Sequence, residues 1–301
     1  MTEPTPLHGG FSPSELSSLL DRACAVANLN SRGARLLRGH TNAVLLLDDA
    51  PVVVKVARRG SCLQSAQRTV AFVQWLEDQG FPTAPLHPVP RQPIEIEGHA
   101  VTFWTYLPQA GPEITAADLA SPLSQLHQLP PPPMPLRNLD NLTAIRRSLG
   151  ATQALPASDL DFLSRRADDL ECALASVTYA LPGAVLQGDP QHRNALRDRQ
   201  RTVLCDWDTA AIGQPEWDLV TVEIHCRRFG HGQGHYNAFC DAYGFDVTEW
   251  PGYPVLRAIR ELRMITTNAR KADHAPGTLT EVRRRIKALR VEEDTLLWSI
   301  L

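Results

Sequence analysis

The sequence predicts an α+β fold of two lobes, with a small antiparallel β-sheet lobe first and a larger, mainly helical lobe after it. Short runs rich in Val, Ile, Leu and aromatic residues are concentrated before residue 107. Later segments instead repeat apolar residues at helical spacing. We therefore expect the β-rich lobe to span residues 1–107 and the helical lobe to span 108–301, with a hinge near 104–108.

The composition is that of an ordinary globular protein. The 301 residues are 43% hydrophobic and 21% charged, which suffices for a sizeable core. The net charge of −3 gives no reason to expect a nucleic-acid partner, and no apolar run reaches the roughly 18–20 residues of a membrane span. Six scattered cysteines and the lack of a signal-like start favour a reduced, cytoplasmic location. The sequence makes no prediction of the oligomeric state.

The first element is an amphipathic helix. The segment Ser12–Glu15 has the pattern of a capping box, with proline at the first helical position. The apolar residues that follow recur at helical spacing: Leu16, Leu19, Leu20 and Ala23.

A β-hairpin follows this helix. The β-rich runs 36–47 and 52–56 flank a turn at Asp48 and Asp49. Lys55 lies within the second run, among valines. Because an unpaired buried ammonium group costs several kcal/mol, Lys55 either binds an anion such as a triphosphate or faces solvent.

One helix and two strands complete the β-rich lobe. The helix is predicted over 63–79 and ends at Gly80, and the strands are predicted over 94–97 and 100–107. The helical lobe begins with a helix over about 116–129. A polyproline tract over 130–135 follows, either as a rigid connection or as a ligand for a partner's aromatic groove. Further helices are predicted near 140–149 and 158–176, the latter with the apolar stripe Leu160, Leu163, Ala167 and Leu170.

The chemistry is concentrated in residues 186–218. Two apolar runs, 184–186 and 202–205, predict buried strands, and each is followed by a carboxylate, Asp189 or Asp206. Asn194 lies between them, five residues after Asp189. Phosphoryl transfer uses one Asp to accept the acceptor's proton, and an Asn and a second Asp to hold magnesium. This ordered set therefore predicts a phosphotransferase, the alternative being ordinary turn residues after buried strands.

Three motifs carry a family resemblance. The segment 187–194, QGDPQHRN, resembles the HGDxxxxN catalytic loop of the aminoglycoside phosphotransferase family, relatives of choline kinases and protein kinases. The segment 203–208, VLCDWD, is similar to the family's "viDw(e/d)" motif. The segment 213–219, GQPEWDL, is similar to its "GdPaxDla" turn. The resemblance extends over about residues 30–270.

The resemblance implies a bilobal protein-kinase-like fold that uses ATP and Mg²⁺. It implies that Asp189 is the general base and that Asn194 and Asp206 are the magnesium ligands. Asp208 lies two residues from Asp206 and is a further candidate for holding the metal. It also implies that Lys55 holds the α- and β-phosphates. Asp218 is expected to accept backbone hydrogen bonds that hold the catalytic loop.

The resemblance also places the nucleotide. The turn containing Gly39, Thr41 and Asn42 is expected to cover the phosphates. Trp104 and Tyr106 lie where the adenine ring is expected to dock, either as base-contacting residues or as core aromatics.

Three positions depart from the family pattern. Thr69 occupies the position where relatives have a helix Glu that pairs with the strand Lys. Gln187 replaces the usual His of the catalytic loop, and Gln191 replaces a frequent His. Gln can also hold loop backbone, but these departures leave open a degenerate kinase that binds a ligand or nucleotide without turnover.

The favoured function is ATP-dependent phosphorylation of a small-molecule hydroxyl. An antibiotic, either an aminoglycoside or another compound containing a sugar or nucleoside, is the leading acceptor, and choline, a sugar or homoserine is the alternative. Aminoglycosides require carboxylates, and the segment 216–261 mixes acidic and basic residues. Choline requires an aromatic cage, for which the candidates are Trp217, Tyr236, Phe239, Tyr243, Trp250 and Tyr253.

Overall fold

A computed structural model describes residues 11–39, 42–59, 61–272 and 276–301. The chain forms two compact units. The first comprises Met1–Pro112, Pro132–Leu136 and Leu196–Asp208, and the second comprises Glu113–Pro131, Arg137–Ala195 and Thr209–Leu301. The first unit therefore contains two segments beyond the break expected near residue 107.

The first unit contains a five-stranded antiparallel sheet. Its strands are β1 (Arg35–Gly39), β2 (Ala43–Leu46), β3 (Val52–Val56), β4 (Ile94–Ile96) and β5 (His99–Thr105). The spatial order is β1-β2-β3-β5-β4. Lys55 of β3 is paired with Val44 on one side and Thr102 on the other. The β-rich runs predicted from the sequence are confirmed, and the run 36–47 divides into two strands.

Two helices pack in the first unit. Helix α1 (Pro13–Ala27) begins after Ser12, whose hydroxyl accepts a hydrogen bond from the backbone N–H of Glu15 at 3.2 Å. Its predicted apolar face is buried, and it shares one core cluster with the sheet's buried residues. Helix α2 (Leu63–Asp78) buries Val70, Val73 and Leu76. The predicted N-cap at Ser12 and the periodicity are confirmed, while the return bond from the Glu15 side chain that completes a capping box is not seen among the described residues.

Seven helices of the second unit are described. They are α3 (Ala116–His127), α4 (Asn141–Ala151), α5 (Ala157–Leu174), α6 (Glu216–Arg228), α7 (Gln233–Tyr243), α8 (Tyr253–Ala272) and α9 (Leu279–Arg290). The stripe predicted on α5 is buried at Leu163, Ala167 and Leu170, while Leu160 is partly buried. Among the described residues, no helix is both long enough and apolar enough to cross a bilayer.

Short strands hold the segments that carry the expected catalytic residues. Strand β6 (Ala184–Leu186) pairs antiparallel with β9 (Ala211–Gly213), and β7 (Ala195–Asp198) pairs with β8 (Arg201–Leu204). The sequence predicted β6 and β8 but did not predict β7 and β9. Strands of three or four residues give too short a pattern for periodicity to detect.

Candidate active site

The expected catalytic loop follows β6 and is held by hydrogen bonds to a buried carboxylate. Asp218, in the first turn of α6, is fully buried. It accepts hydrogen bonds from the backbone N–H groups of Gln187 at 2.8 Å and Gly188 at 2.9 Å. The role expected for Asp218, holding the loop through backbone bonds, is confirmed by this geometry.

Gly188 gives the loop its backbone path. Its φ of 84° is in the left-handed region, which side chains other than glycine rarely adopt. A Cβ atom there would lie 2.4 Å from the carbonyl oxygen of Thr209. A close approach of two backbone segments therefore requires glycine immediately before Asp189.

Asp189 is held by three neighbours within the second unit. Its backbone N–H donates to Gln187 Oε1 at 2.7 Å, so Gln187 supports the loop in place of the family's His. Gln191 Nε2 donates to Asp189 Oδ2 at 2.9 Å, and Arg260 forms an ion pair with Oδ1. The Asp189 side chain is 27% exposed, which leaves it accessible to an acceptor.

Arg260 is a site residue that the sequence reasoning missed. It lies on α8, is nearly buried, and places its guanidinium group over the ring of Trp217 at 5.5 Å. A signal was present in the sequence, because Arg260 directly follows Ile259 on the buried face of an amphipathic helix. A cation in such a position needs a carboxylate partner, but the sequence does not say which one.

Asn194 lies at the end of a 3₁₀ turn, His192–Asn194, and is buried. Its Nδ2 atom donates to the carbonyl oxygen of Asp189 at 2.9 Å. This bond fixes the orientation of the Asn194 amide and leaves its side-chain oxygen available to accept a bond or bind a cation. The loop therefore places Asp189 and Asn194 together.

Lys55 and Asp206 meet within the first unit. Lys55 Nζ lies 2.9 Å from Asp206 Oδ1 and 2.7 Å from Asp208 Oδ2. Burial acts to lower the pKa of Lys55, but the two carboxylates outweigh it and raise that pKa above its ordinary value. Thr69 donates weakly to Asp208 at 3.5 Å. Asp208 therefore orients Lys55 where relatives use a helix Glu.

Asp206 is positioned by an anchored, strained turn. Its φ of 58° is unusual for a residue with a side chain. The next residue, Trp207, is buried and donates from Nε1 to Thr83 Oγ1 at 2.8 Å. This anchor holds the turn after β8, and the Asp206 side chain stays 42% exposed.

The residues expected around the nucleotide are placed in different ways. Asn42 Nδ2 donates to Asp208 Oδ2 at 3.5 Å, and Gly39 ends β1. Thr41 lies outside the described residues.

The two hinge aromatics are partly exposed rather than buried in the core. Trp104 Nε1 donates to Thr102 Oγ1 at 2.9 Å, and the backbone N–H of Tyr106 donates to the carbonyl of Pro51 at 2.7 Å. This intermediate burial does not choose between the two alternatives, and contact with adenine stays a prediction.

Comparison with known families identifies the chain. A family model described as "Phosphotransferase enzyme family" (APH) matches residues 33–259, which is more than half of the chain. The chain belongs to this family. It is therefore a small-molecule phosphotransferase, and the resemblance read from the three motifs is confirmed. No curated protein matches the chain.

Solved structures share the fold. A choline/ethanolamine kinase family protein from Mesorhizobium loti is 19% identical, with a TM-score of 0.60, covering 92% of this chain and 99% of that chain. The choline kinase LicA from Streptococcus pneumoniae is 14% identical, with a TM-score of 0.67 and coverage of 91% and 99%. The amicoumacin kinase hAmiN is also 14% identical, with a TM-score of 0.67 and coverage of 94% and 95%. These similarities confirm the kinase-like α+β fold.

Each unit contains one of the two residues expected to hold magnesium, and each residue offers an oxygen donor. Asp206 offers an exposed carboxylate and Asn194 an amide oxygen, which are the hard donors that magnesium prefers. Within the described ranges, no group of three or more His, Cys, Asp or Glu side chains could hold a metal by itself. A small number of protein ligands is typical for Mg²⁺, because the ion keeps several waters and also binds substrate phosphates.

A cavity of about 380 Å³ lies in the second unit, lined by residues that include Leu139, Tyr179, Ile212, Trp217 and Ile259. It is not lined by Asp189, Lys55, Asn194 or Asp206, and of the aromatic-cage candidates it is lined by Trp217. We therefore do not assign the acceptor to this cavity.

Proposed function

We propose that this protein transfers the γ-phosphoryl group of Mg²⁺-ATP to a hydroxyl group of a small molecule. The observation that carries the proposal is that Asp189 is both accessible and held in a fixed position. Its carboxylate is accessible, yet Gln187, Gln191 and Arg260 bind the residue and Asp218 fastens the loop. A preorganised site of this kind suits phosphoryl transfer, because positioning and charge stabilisation supply most of the catalysis.

In the proposed reaction, Asp189 orients the acceptor hydroxyl and takes its proton. The hydroxyl oxygen forms a bond to the γ-phosphorus, the bond from that phosphorus to the bridging oxygen breaks, and ADP leaves. Lys55 holds the α- and β-phosphates, with its ammonium steadied by Asp206 and Asp208. Asn194 and Asp206 would hold Mg²⁺, which when bound neutralises charge on the phosphates.

The remaining nucleotide contacts belong to the same proposal. The turn with Gly39, Thr41 and Asn42 covers the phosphates, and Trp104 and Tyr106 flank the adenine. The partial exposure of both aromatics is consistent with this role, because a ring that contacts a base needs a free face.

An antibiotic acceptor, and with it a role in antibiotic resistance, is the specific form of the proposal that the sequence favours. Polycationic aminoglycosides fit least well. Four acidic residues between 216 and 261 are buried and already bind the protein's own N–H or guanidinium groups: Glu216, Asp218, Glu223 and Glu261. Only accessible carboxylates can pair with a ligand's amines, and these four are not accessible.

Choline is also disfavoured. Four of the six aromatics that could have formed a cage are buried, namely Trp217, Tyr236, Phe239 and Trp250, whereas Tyr243 and Tyr253 are partly exposed. The face of Trp217 already carries the guanidinium group of Arg260. A quaternary ammonium needs an open aromatic face, which the four buried residues do not offer.

The test is phosphorylation of an acceptor panel in the presence of Mg²⁺-ATP. Hydroxylated antibiotics, nucleosides, sugars, hydroxy acids and choline are incubated with the enzyme and examined for a phosphate-mass gain by mass spectrometry. We expect a gain on one class. Asp189→Ala should reduce kcat/KM at least about a hundredfold, or about 3 kcal/mol of barrier, because a general base is lost.

Two further variants control this test. Asp161→Ala removes an exposed carboxylate from α5 and should leave turnover unchanged. Asp189→Asn keeps the size of the side chain and an oxygen that can accept from Arg260, so it separates lost chemistry from lost folding. Near-normal turnover in Asp189→Asn would remove Asp189 from the role of base. Nucleotide binding without transfer to any acceptor would favour the degenerate kinase.

A further inference from the structure

The surroundings of Asp189 in the second unit are basic. Arg260 and Arg263 are three residues apart on α8, so they lie on one face of the helix. Arg260 is paired with Asp189. Among the residues that the structure describes, Arg263 has neither an ion pair nor a side-chain hydrogen bond.

Arg263 lies near other positive charges. Arg260, Arg137 and Arg270 act on it as like charges, and Asp189 acts as the opposing charge. Burial, followed by Arg260 and Arg137, lowers the pKa of Arg263 to about 10. Arg260 and Arg263 thus lie near one carboxylate, and that carboxylate is already paired with Arg260.

Buried nitrogen atoms of Arg260 and of two histidines also lack hydrogen-bond partners. Within the described part of the chain, they are Arg260 Nε, both ring nitrogens of His192, and His225 Nε2. His192 stacks on His231 with ring centroids 3.9 Å apart. Buried polar groups seldom go without partners, and Arg260 Nε carries a hydrogen that an oxyanion could accept.

We propose that the acceptor is an anionic hydroxyl compound whose carboxylate or phosphate group binds Arg263 and Arg260, while its hydroxyl group reaches Asp189. Arg260 can serve both partners, because a guanidinium group has five N–H donors and Asp189 engages Nη2. The planar donors of arginine match carboxylate and phosphate oxygens in pairs. The inference rests on the proposed kinase function and narrows its acceptor class.

The first experiment measures binding with matched probes. The full-length protein with Mg²⁺ and AMP-PNP is titrated with glycerate, 4-hydroxybutyrate and glycerol 3-phosphate, and with the uncharged glycerol and 1,4-butanediol. Thermal shift and calorimetry report binding. We expect the anions to bind at least about tenfold more tightly than the uncharged compounds, since truncating one partner of a desolvated charge pair costs at least that much. The carboxylates and the phosphate ester show which anion the site prefers.

The variants assign that binding to the cluster. Arg263→Gln should remove the preference for anions, and Arg263→Lys should keep part of it, because lysine keeps the charge but loses the planar fork. Arg283→Gln, which removes an exposed arginine from α9, should bind like the wild type. For any acceptor that is phosphorylated, Arg263→Gln should raise KM at least about tenfold if the acceptor is anionic and leave KM unchanged if it is neutral.

The outcomes separate this inference from the kinase proposal. Arg263-dependent anion binding without phosphate transfer would support the anion site and count against the kinase function. Phosphate transfer to a neutral or cationic acceptor, with KM unaffected by Arg263→Gln, would overturn the anion site and support the kinase. Anions that bind no better than their neutral partners, or equally well to Arg263→Gln, would also overturn it.

Discussion

At the scale of single residues, the backbone before Asp189 is the most constrained feature of the site. Gly188 combines a positive φ with a close approach to Thr209, whose hydroxyl also donates to the carbonyl of Gln187 at 2.9 Å. Gly230 has a similar φ of 77°, but no atom lies within 4 Å of the place where its Cβ would be. Comparing substitutions at the two glycines therefore distinguishes the cost of a left-handed backbone from the cost of a steric clash.

We predict that Gly188→Ala and Gly230→Ala differ strongly. Gly230→Ala should lower the free energy of unfolding by about 1 kcal/mol, because it costs only the left-handed conformation. Gly188→Ala should lower it by about 2–4 kcal/mol, because the clash with Thr209 adds to that strain, and it should also reduce kcat by displacing Asp189. Urea denaturation and steady-state kinetics measure both effects. Equal losses in the two variants would contradict the close approach at Gly188.

At the scale of elements, α9 is tied to the C-terminal segment by a buried carboxylate. Glu281 accepts hydrogen bonds from Arg284 Nε at 2.7 Å, Arg285 Nε at 2.9 Å and the backbone N–H of Ser299 at 2.9 Å. Arg285 is itself buried, with its guanidinium group 4.4 Å from the ring centre of Trp298. One side chain thus joins two parts of the chain that have no shared secondary structure.

We predict that Glu281→Gln lowers the free energy of unfolding by about 2 kcal/mol at pH 7, because Arg285 loses its buried partner. Burial acts to raise the pKa of Glu281, but the bonds from Arg284 and Arg285 outweigh it, so that pKa is lowered in the folded state. Its stabilisation is therefore complete above the unfolded pKa of about 4.5 and is lost as the pH falls through the folded value.

Denaturation between pH 7 and pH 3 checks this prediction. The gap between the wild type and Glu281→Gln should narrow below about pH 4.5, where the wild type loses the contribution of its carboxylate. Glu249→Gln, which changes an exposed carboxylate, should follow the wild type at every pH. A gap that stays constant with pH would mean that the ionised form of Glu281 does not stabilise the fold.

At the scale of the whole molecule, the expected nucleotide ligands are divided between two units, each with its own core. Lys55 and Asp206 belong to the first unit, and Asp189 and Asn194 belong to the second. Lys55 and Asp206 are already paired, so their charges are held in place within the first unit.

We predict that AMP-PNP with Mg²⁺ stabilises the protein against heat, and that removing magnesium with EDTA abolishes most of this effect. Ligand at about 100 times its Kd adds roughly 2.7 kcal/mol to the free energy of unfolding. Lys55→Met should show a smaller shift in Tm, whereas Lys287→Met, which changes an exposed lysine on α9, should match the wild type. An equal shift with and without magnesium would remove Asn194 and Asp206 from the role of metal ligands.

Much of the fold could be predicted from the sequence, because its signals are local. The cap at Ser12 and the stripe Leu163, Ala167 and Leu170 follow from spacing along the chain, and both are present in the structure. Strands β7 and β9 could not be predicted, because their few residues are fixed by pairing with β8 and β6 rather than by a pattern of their own.

The sequence by itself determined the fold class, the family and the order of Asp189, Asn194 and Asp206, since these depend on short motifs and residue periodicity. Only the tertiary structure decided how the charges are paired. Arg260 lies 71 residues from Asp189, and Asp208 lies 153 residues from Lys55. The partner of a charged side chain depends on which surfaces packing brings within a few ångströms, and one sequence does not record those distances.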